Sequence, residues 1–336
     1  MNLKTLVKLS HHIFDLGFYA FASFNLFKKC SEGFIRCYIK VFREINISLN
    51  INYSVSITSV SLLYKQIFMQ RLMKNWLPHI ILKKLKKLFG KKGTYFTGEY
   101  KSWDDTKAHC KGYDDIDILN KVLNSTLKVK RGEVEYERDG ILFDTIEPSW
   151  QVLAGIVWVA ARNNGNLCVL DMGGSLGTTY FQNDRFLNDI NLSSWNIVEQ
   201  THYVKAGRAH IQDEILRFYD SIENCLNECN PNVVLISSSL QYMPDPGAVL
   251  DSLSRIGADA IIIDRTIINN FKSNIIYVQH ATPSIGGSYP CYTISESWLI
   301  DTLEKTYDLV ESFDSLFFSE LTEIDSTFKG YIFSKK

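Results

Sequence analysis

Leu167-Cys168-Val169-Leu170-Asp171-Met172-Gly173-Gly174-Ser175-Leu176-Gly177-Thr178 is the stretch on which the fold of this 336-residue chain turns. Four apolar residues read as a short buried strand closed by Asp171. The glycines then form a turn, and a helix is predicted from about Thr178. Strand, glycine turn and helix in that order make the entry to a nucleotide site. Gly173 and Gly177 carry no side chain where backbone must come close to a ligand, Gly174 and Ser175 complete the turn, and N–H groups at the helix start can face the ligand's polar parts.

Working outward, the same pattern recurs. Trp195–Val198 is a second apolar run and ends in Glu199. Ile215–Tyr219 is a third, followed by Asp220. Val233–Ile236 is a fourth, followed by Ser237-Ser238, and Ala260–Ile263 is a fifth, ending at Asp264-Arg265. Near-continuous apolar strands separated by helical spacers predict an α/β fold with a parallel sheet covered on both faces. Ligands of such sheets bind beyond the carboxyl ends of the strands, near the point where strand order reverses. Glu199 stands there with two acceptor oxygens, suited to a pair of ribose hydroxyls. Its distance along the chain from Asp171, 199 − 171 = 28, exceeds the ~20 residues of a plain dinucleotide fingerprint, and the excess fits in the span 181–194. A glycine turn alone could be structural; Asp171 before it, Glu199 after the next strand and Asp220 after the third favour a nucleoside ligand. Asp220 reads either as an adenine neighbour or as a helix cap.

Four segments carry a resemblance. Asp171 to Tyr180, Ile197-Val198-Glu199-Gln200, Ser237 to Pro246, and Ile263-Asp264-Arg265-Thr266 resemble a bacterial family of methyltransferases associated with surface-polysaccharide (O-antigen or capsule) gene clusters. Upstream, Trp103, Gly112-Tyr113-Asp114 and Tyr136-Glu137-Arg138-Asp139 resemble it too, so the likeness covers roughly Met73 to Lys336. Against the broader methyltransferase pattern Asp/Glu-x-Gly-x-Gly-x-Gly, Ser175 replaces the central glycine.

The resemblance implies a class I (Rossmann-like) methyltransferase with a seven-stranded, mostly parallel sheet and an antiparallel last strand, strands six and seven being Tyr307–Phe313 and Tyr331–Ser334. It implies S-adenosyl-L-methionine as cofactor and no metal. Cofactor contacts are expected at Asp171, Gly173, Gly174, Ser175, Gly177, Tyr180, Glu199, Gln200, Asp220, Ser237, Ser238 and Gln241. A nicotinamide-dependent oxidoreductase would show a sixth parallel strand instead, and a non-catalytic scaffold that kept this fold is the third alternative.

If a hydroxyl is methylated, a base must take its proton, and Asp264 or His280 is the candidate, with Tyr242 and Gln241 orienting the acceptor and Arg265 meeting an anionic group on it. Gln279–Thr293, containing His280, Pro283 and Gly286-Gly287, reads as a loop forming an acceptor wall. The family association implies a sugar or lipid-linked glycan as acceptor.

Composition bounds the rest. With 46% hydrophobic and 22% charged residues the chain has the balance of a globular protein, and a net charge of −1 gives no global pull toward nucleic acid. Seven dispersed cysteines fit a reducing cytoplasm better than a disulfide framework. Three regions are expected: 1–72, aromatic and Ile/Ser/Asn-rich, either an extra helical region with membrane affinity or an over-extended reading frame ahead of a start at Met73; 73–150, a basic helix and a cap; and 151–336, the cofactor-binding domain. Lys83, Lys84, Lys86 and Lys87 opposite Ile80, Ile81, Leu82, Leu85, Leu88 and Phe89 read either as a peripheral contact with the inner membrane or as a solvated face. Residues 93–150, acidic and aromatic, are expected to form a lid over the pocket, and Ile116–Val122 and Glu147–Arg162 to be helical.

Overall fold

The structure, a computed structural model, describes residues 94–110, 116–146, 149–282, 286–315, 321 and 323–336, all within the second of two units into which the chain divides, Gly90–Lys336. The expectations for 1–72, for the lysines at 83–87 and for Gly112-Tyr113-Asp114 lie outside the described residues.

The described chain opens with β1 (Tyr95–Tyr100), α1 (Trp103–Ala108), α2 (Ile116–Lys130) and a small hairpin of β2 (Tyr136–Arg138) and β3 (Ile141–Phe143). There follow α3 (Trp150–Arg162), β4 (Asn166–Met172), α4 (Thr178–Leu187), β5 (Asn191–Val198), α5 (Thr201–His210), β6 (Leu216–Tyr219), α6 (Ile222–Leu226) and β7 (Val233–Ser237). After a single 3₁₀ turn, Leu240–Tyr242, come α7 (Pro246–Arg255), β8 (Ala260–Asn269), β9 (Ile275–His280), β10 (Ser288–Ser295), α8 (Glu296–Leu303), β11 (Tyr307–Asp314) and β12 (Ser326–Lys335).

The main sheet has the order β6-β5-β4-β7-β8-β12-β11. Strands β4 to β8 are mutually parallel; β12 runs antiparallel to both β8 and β11. This is the seven-stranded class I arrangement expected above, and strand order reverses between β4, which leads to β5 on one side, and β7 on the other. The apolar runs are continuous because each strand feeds two cores at once. Neighbours in sequence point to opposite faces: Val169, Leu235 and Ile262 pack with α2, α3, α4 and α5, while Leu170, Val234 and Ile261 pack with α6, α7 and α8.

Ten strands join the sheet, because β8 is ten residues long and outlasts its neighbour. On one edge β7 pairs it from Ala260 to Asp264, and β10 takes over at Ile268 and Asn269. Strand β9 then pairs β10, and β1 pairs β9, both antiparallel. Gln279–Thr293 is therefore not a loop: most of it is a hairpin, with only 281–287 between the strands. Its Tyr289, Tyr292 and Thr293 suit a pleated surface. Pro290 is tolerated because β10 meets β8 only at its last two residues and is otherwise an edge on that side. The predicted helix at Ile116–Val122 runs on to Lys130, and the final strand begins at Ser326, not Tyr331.

Candidate active site

At the carboxyl end of β4, Asp171 is fully buried, and its Oδ2 accepts a hydrogen bond of 3.0 Å from the Trp195 indole Nε1 on β5. Its Oδ1 has no hydrogen-bond partner. Burial pushes this carboxyl up to about 7, with the nearby Glu199 charge adding to the rise while the Trp195 N–H and Arg265 oppose it.

The turn lies directly over that carboxyl. Gly173, Ser175 and Gly177 all have positive φ, at +71°, +55° and +101°. A Cβ on Gly174 would fall 2.5 Å from Asp171 Oδ2, and one on Gly173 would fall 2.5 Å from Ser239 Cβ. The glycines thus answer to the chain's own packing as well as to any ligand. Ser239 Oγ ties the two sides of the switch point by donating to the Met172 carbonyl at 2.6 Å. Gly177 caps α4 without a side-chain oxygen, so the capping residue itself offers no acceptor to the first-turn N–H groups of that helix.

Glu199 meets this turn. The Gly173 N–H donates to Val198 O (2.9 Å), and Glu199 Oε1 lies 3.3 Å from Ser175 N while Oε2 accepts from Gln200 N at 2.7 Å. Burial raises the Glu199 pKa and these two backbone donors lower it. Glu199 N–H in turn donates to Tyr219 O at 3.0 Å, which brings the exposed Asp220 alongside. Asp220 accepts from the Asn224 side chain at 2.7 Å. The Tyr180 ring packs edge-on against Phe181 and against Trp195, the residue that bonds Asp171.

Beyond β7 and β8 a second group gathers. Ser238 has φ +60° and donates its N–H to Asp264 O (2.9 Å), while Ser237 Oγ accepts from Arg265 Nη2 at 2.9 Å. Asp264 is buried, its Oδ1 taken by Ser315 Oγ at 3.1 Å and its Oδ2 by Ser237 Oγ at 3.4 Å, with Arg265 Nε 3.5 Å away. Gln241 fills the stretch of β8 edge between β7 and β10: its Nε2 donates to Arg265 O at 3.2 Å, and its buried Oε1 has no hydrogen-bond partner. The Tyr242 hydroxyl donates to Gln279 Oε1 (3.2 Å), Gln279 Nε2 donates to Tyr289 OH (3.2 Å), and the two tyrosine rings meet edge-on.

His280 does not join this group. One residue past Gln279 on the same strand, it points to the opposite face of β9, where its ring stacks on Tyr95 at 4.4 Å and Nε2 bonds Thr97 Oγ1 at 2.9 Å. Gln279 is the residue on the site's side, and the period-2 alternation of a strand would have signalled it had the segment not been read as a loop.

The β2–β3 hairpin spans both groups. Glu137, buried, accepts from Thr178 Oγ1 at the start of α4 (2.6 Å) and from Gly140 N (3.2 Å). Burial raises its carboxyl to about 7. Burial lowers the Arg265 pKa, while Asp264, Tyr136 and Asp139 raise it, so the hairpin is coupled to that guanidinium. Nothing in the spacing of Tyr136-Glu137-Arg138-Asp139 foretold these partners. Trp195 was legible only as a strand residue, although a buried indole N–H requires an acceptor. Among the described residues no group of three or more His, Cys, Asp and Glu side chains could hold a metal ion, and no helix is long and apolar enough to cross a membrane.

No family model and no curated protein matches the chain. Solved structures similar to it include a 1,6-didemethyltoxoflavin-N1-methyltransferase from Burkholderia thailandensis, 13% identical over 66% of this chain and 89% of that one, with a TM-score of 0.35. A S-adenosylmethionine-dependent methyltransferase from Clostridium acetobutylicum is 12% identical over 64% and 98% of the two chains, with a TM-score of 0.38. The [4+2]-cyclase SpnF is 13% identical over 65% and 92%, with a TM-score of 0.39.

Proposed function

We propose that this chain is an S-adenosyl-L-methionine-dependent methyltransferase that methylates a hydroxyl of a sugar or lipid-linked glycan in surface-polysaccharide synthesis. One observation carries the proposal: Glu199, at the end of β5, is held 3.3 Å from the Ser175 N–H of the glycine turn that ends β4. An acidic acceptor and a backbone turn are thus joined at the carboxyl edge, where strand order reverses.

The residues present fit such a cofactor. The uncapped first turn of α4 supplies N–H donors for a carboxylate. Glu199 supplies two oxygens for ribose hydroxyls, Asp220 lies beside it on the adenine side, and Asp171, its Oδ1 unpartnered, underlies the turn at Gly174. S-adenosylmethionine supplies an electrophilic methyl group on sulfur. The chain's part is then to place an acceptor oxygen in line and keep it there. Gln241 and Tyr242 are positioned for this by Arg265 O and Gln279. Asp264, midway along β8 and level with the last residue of β7, has its buried oxygens already bonded to Ser315 and Ser237, so proton removal there passes through a hydroxyl network. The antiparallel β12 favours this reading over a nicotinamide oxidoreductase.

Titration calorimetry tests it. S-adenosylhomocysteine is expected to bind at micromolar concentration or below, and Glu199→Ala to weaken binding by about 100-fold, the loss of two hydrogen bonds to a charged acceptor. Binding of NAD in place of S-adenosylhomocysteine would sink the proposal. Peripheral contact with the cytoplasmic face of a membrane through Lys83, Lys84, Lys86 and Lys87 belongs to the same proposal, and sedimentation with anionic vesicles checks it.

A further inference from the structure

Two guanidinium groups converge on one phenol at the acceptor side of the site. Arg138 Nε and Nη2 each lie 3.2 Å from the Tyr136 hydroxyl. Arg265, on β8, is electrostatically coupled to the same phenol and to Asp139 of the β2–β3 hairpin. The two cations come from segments more than a hundred residues apart, brought together by the hairpin that crosses from Thr178 to the middle of β8.

Arg265 is unusual in three respects. It is only 6% exposed, it has φ +49° within a strand, and its Nε has no hydrogen-bond partner. Positive φ at a bulky residue is a strained conformation that persists where the surroundings hold it, often at a functional site. A buried guanidinium N–H without an acceptor is also unfavourable until an oxygen arrives. The ion pair with Asp264 brings a carboxylate to that Nε but no hydrogen-bond geometry. Asp264 divides its oxygens between Ser315 and Ser237 and stands 3.5 Å from Nε, and Asp139 is exposed at the hairpin turn.

We propose that Arg265 and Arg138 bind an anionic oxygen group, a carboxylate or a phosphate, carried by the acceptor. A planar guanidinium fork matches either group through paired N–H donors. The location fits, because Arg265 follows directly on Asp264, which pairs with the last residue of β7. Gln241 lies against Arg265, and its unpartnered Oε1 offers an acceptor for a neighbouring hydroxyl. An acidic or phosphorylated sugar presents both features, and a neutral sugar presents one. That the anion belongs to an acceptor rests on the methyltransferase reading; the anion site does not.

Calorimetric titrations of the full chain with D-glucuronate, inorganic phosphate and D-glucose, each with and without saturating S-adenosylhomocysteine, test the inference. One of the two anions is expected to bind at least about tenfold more tightly than glucose, glucuronate if the group is a carboxylate and phosphate if it is a phosphate. Arg138→Gln, at a half-exposed position, is expected to abolish that preference while leaving S-adenosylhomocysteine affinity within about twofold, and Arg138→Lys to restore part of it. Arg265→Lys provides a second variant, read only if it melts as the parent chain does. Equal affinity for glucose and both anions, or an anion preference untouched by Arg138→Gln, overturns the inference. If S-adenosylhomocysteine fails to bind while the Arg138-dependent anion preference holds, the methyltransferase reading falls and the anion site stands; the opposite pair of results does the reverse.

Discussion

The two halves of the carboxyl edge are gathered from very different distances along the chain. In the glycine-turn half, Asp171, Gly173, Ser175, Glu199 and Asp220 lie at or just past the ends of three consecutive strands, and ladder register sets those ends side by side: Asp171 opposite Ile197, Val198 opposite Tyr219. In the other half, Tyr136, Arg138, Ser237, Gln241, Asp264, Arg265, Gln279, Tyr289 and Ser315 come from segments scattered over most of the described chain. The first half is a strand-turn-helix unit repeated. The second exists only because β8 is long enough to take β10 after β7 has ended. A locally built site should fail when its turn is distorted, and a site gathered from afar should fail when a connecting element is loosened.

Gly173→Ala is the strongest way to break the first half. The added Cβ would sit 2.5 Å from Ser239 Cβ at φ +71°, combining overpacking with a left-handed conformation. About 4 kcal/mol of stability is expected to be lost, which thermal unfolding would show as a fall of roughly 10 °C for a unit of this size. An unchanged midpoint would mean that Ser239 does not hold the turn.

Next in size comes the connecting hairpin. Glu137 has its carboxyl raised from 4.5 to about 7, so the folded chain holds a proton that the unfolded chain has released across that window. Stability supplied by the protonated form is present below pH 4.5 and lost as pH rises toward 7, by on the order of 3 kcal/mol. The groups that face it are Arg138 and Asp139 on its own hairpin and Thr178 on α4, with Lys121 of α2 against Gly140. Denaturant unfolding at acid and at slightly alkaline pH should show Glu137→Gln flattening this slope by one proton. Asp171 titrates over a similar window, so the comparison must be between variant and parent. Equal slopes in the two would remove Glu137 as the hairpin's latch.

The smallest expected effect sharpens the boundary of the second half. His280→Ala loses a stacked ring pair with Tyr95, worth about 1 kcal/mol, yet its affinities for S-adenosylhomocysteine and for glucuronate should stay within about twofold of the parent's. A tenfold loss in glucuronate affinity would return His280 to the acceptor side.

Legibility followed the same division. The five parallel strands could be read because a strand buried on both faces needs an unbroken apolar run, as Val233–Ile236 and Ala260–Ile263 have. Glu199 could be placed because its strand neighbours Asp171's. The place of Tyr180 just past the glycine turn suggests a ligand contact, but that its ring lies on Trp195 could not be read from spacing. The hairpin of β9 and β10 was hidden by Gln279, His280, Pro290 and two adjacent glycines, residue types that an edge strand tolerates and a loop also uses. Tyr136 and Glu137 had no legible partner, since a hydrogen bond to Thr178 or a coupling to Arg265 leaves no trace in local spacing.

What the chain's own order determined was the sheet, its covered faces and the turn with its acidic neighbour, because hydrophobic periodicity and glycine placement act over ten or twenty residues. Which oxygens and guanidiniums meet beyond β7 and β8 was decided only in three dimensions. Those contacts depend on strand length, on the face of a pleat and on where a hairpin lands, none of which is a property of any one segment.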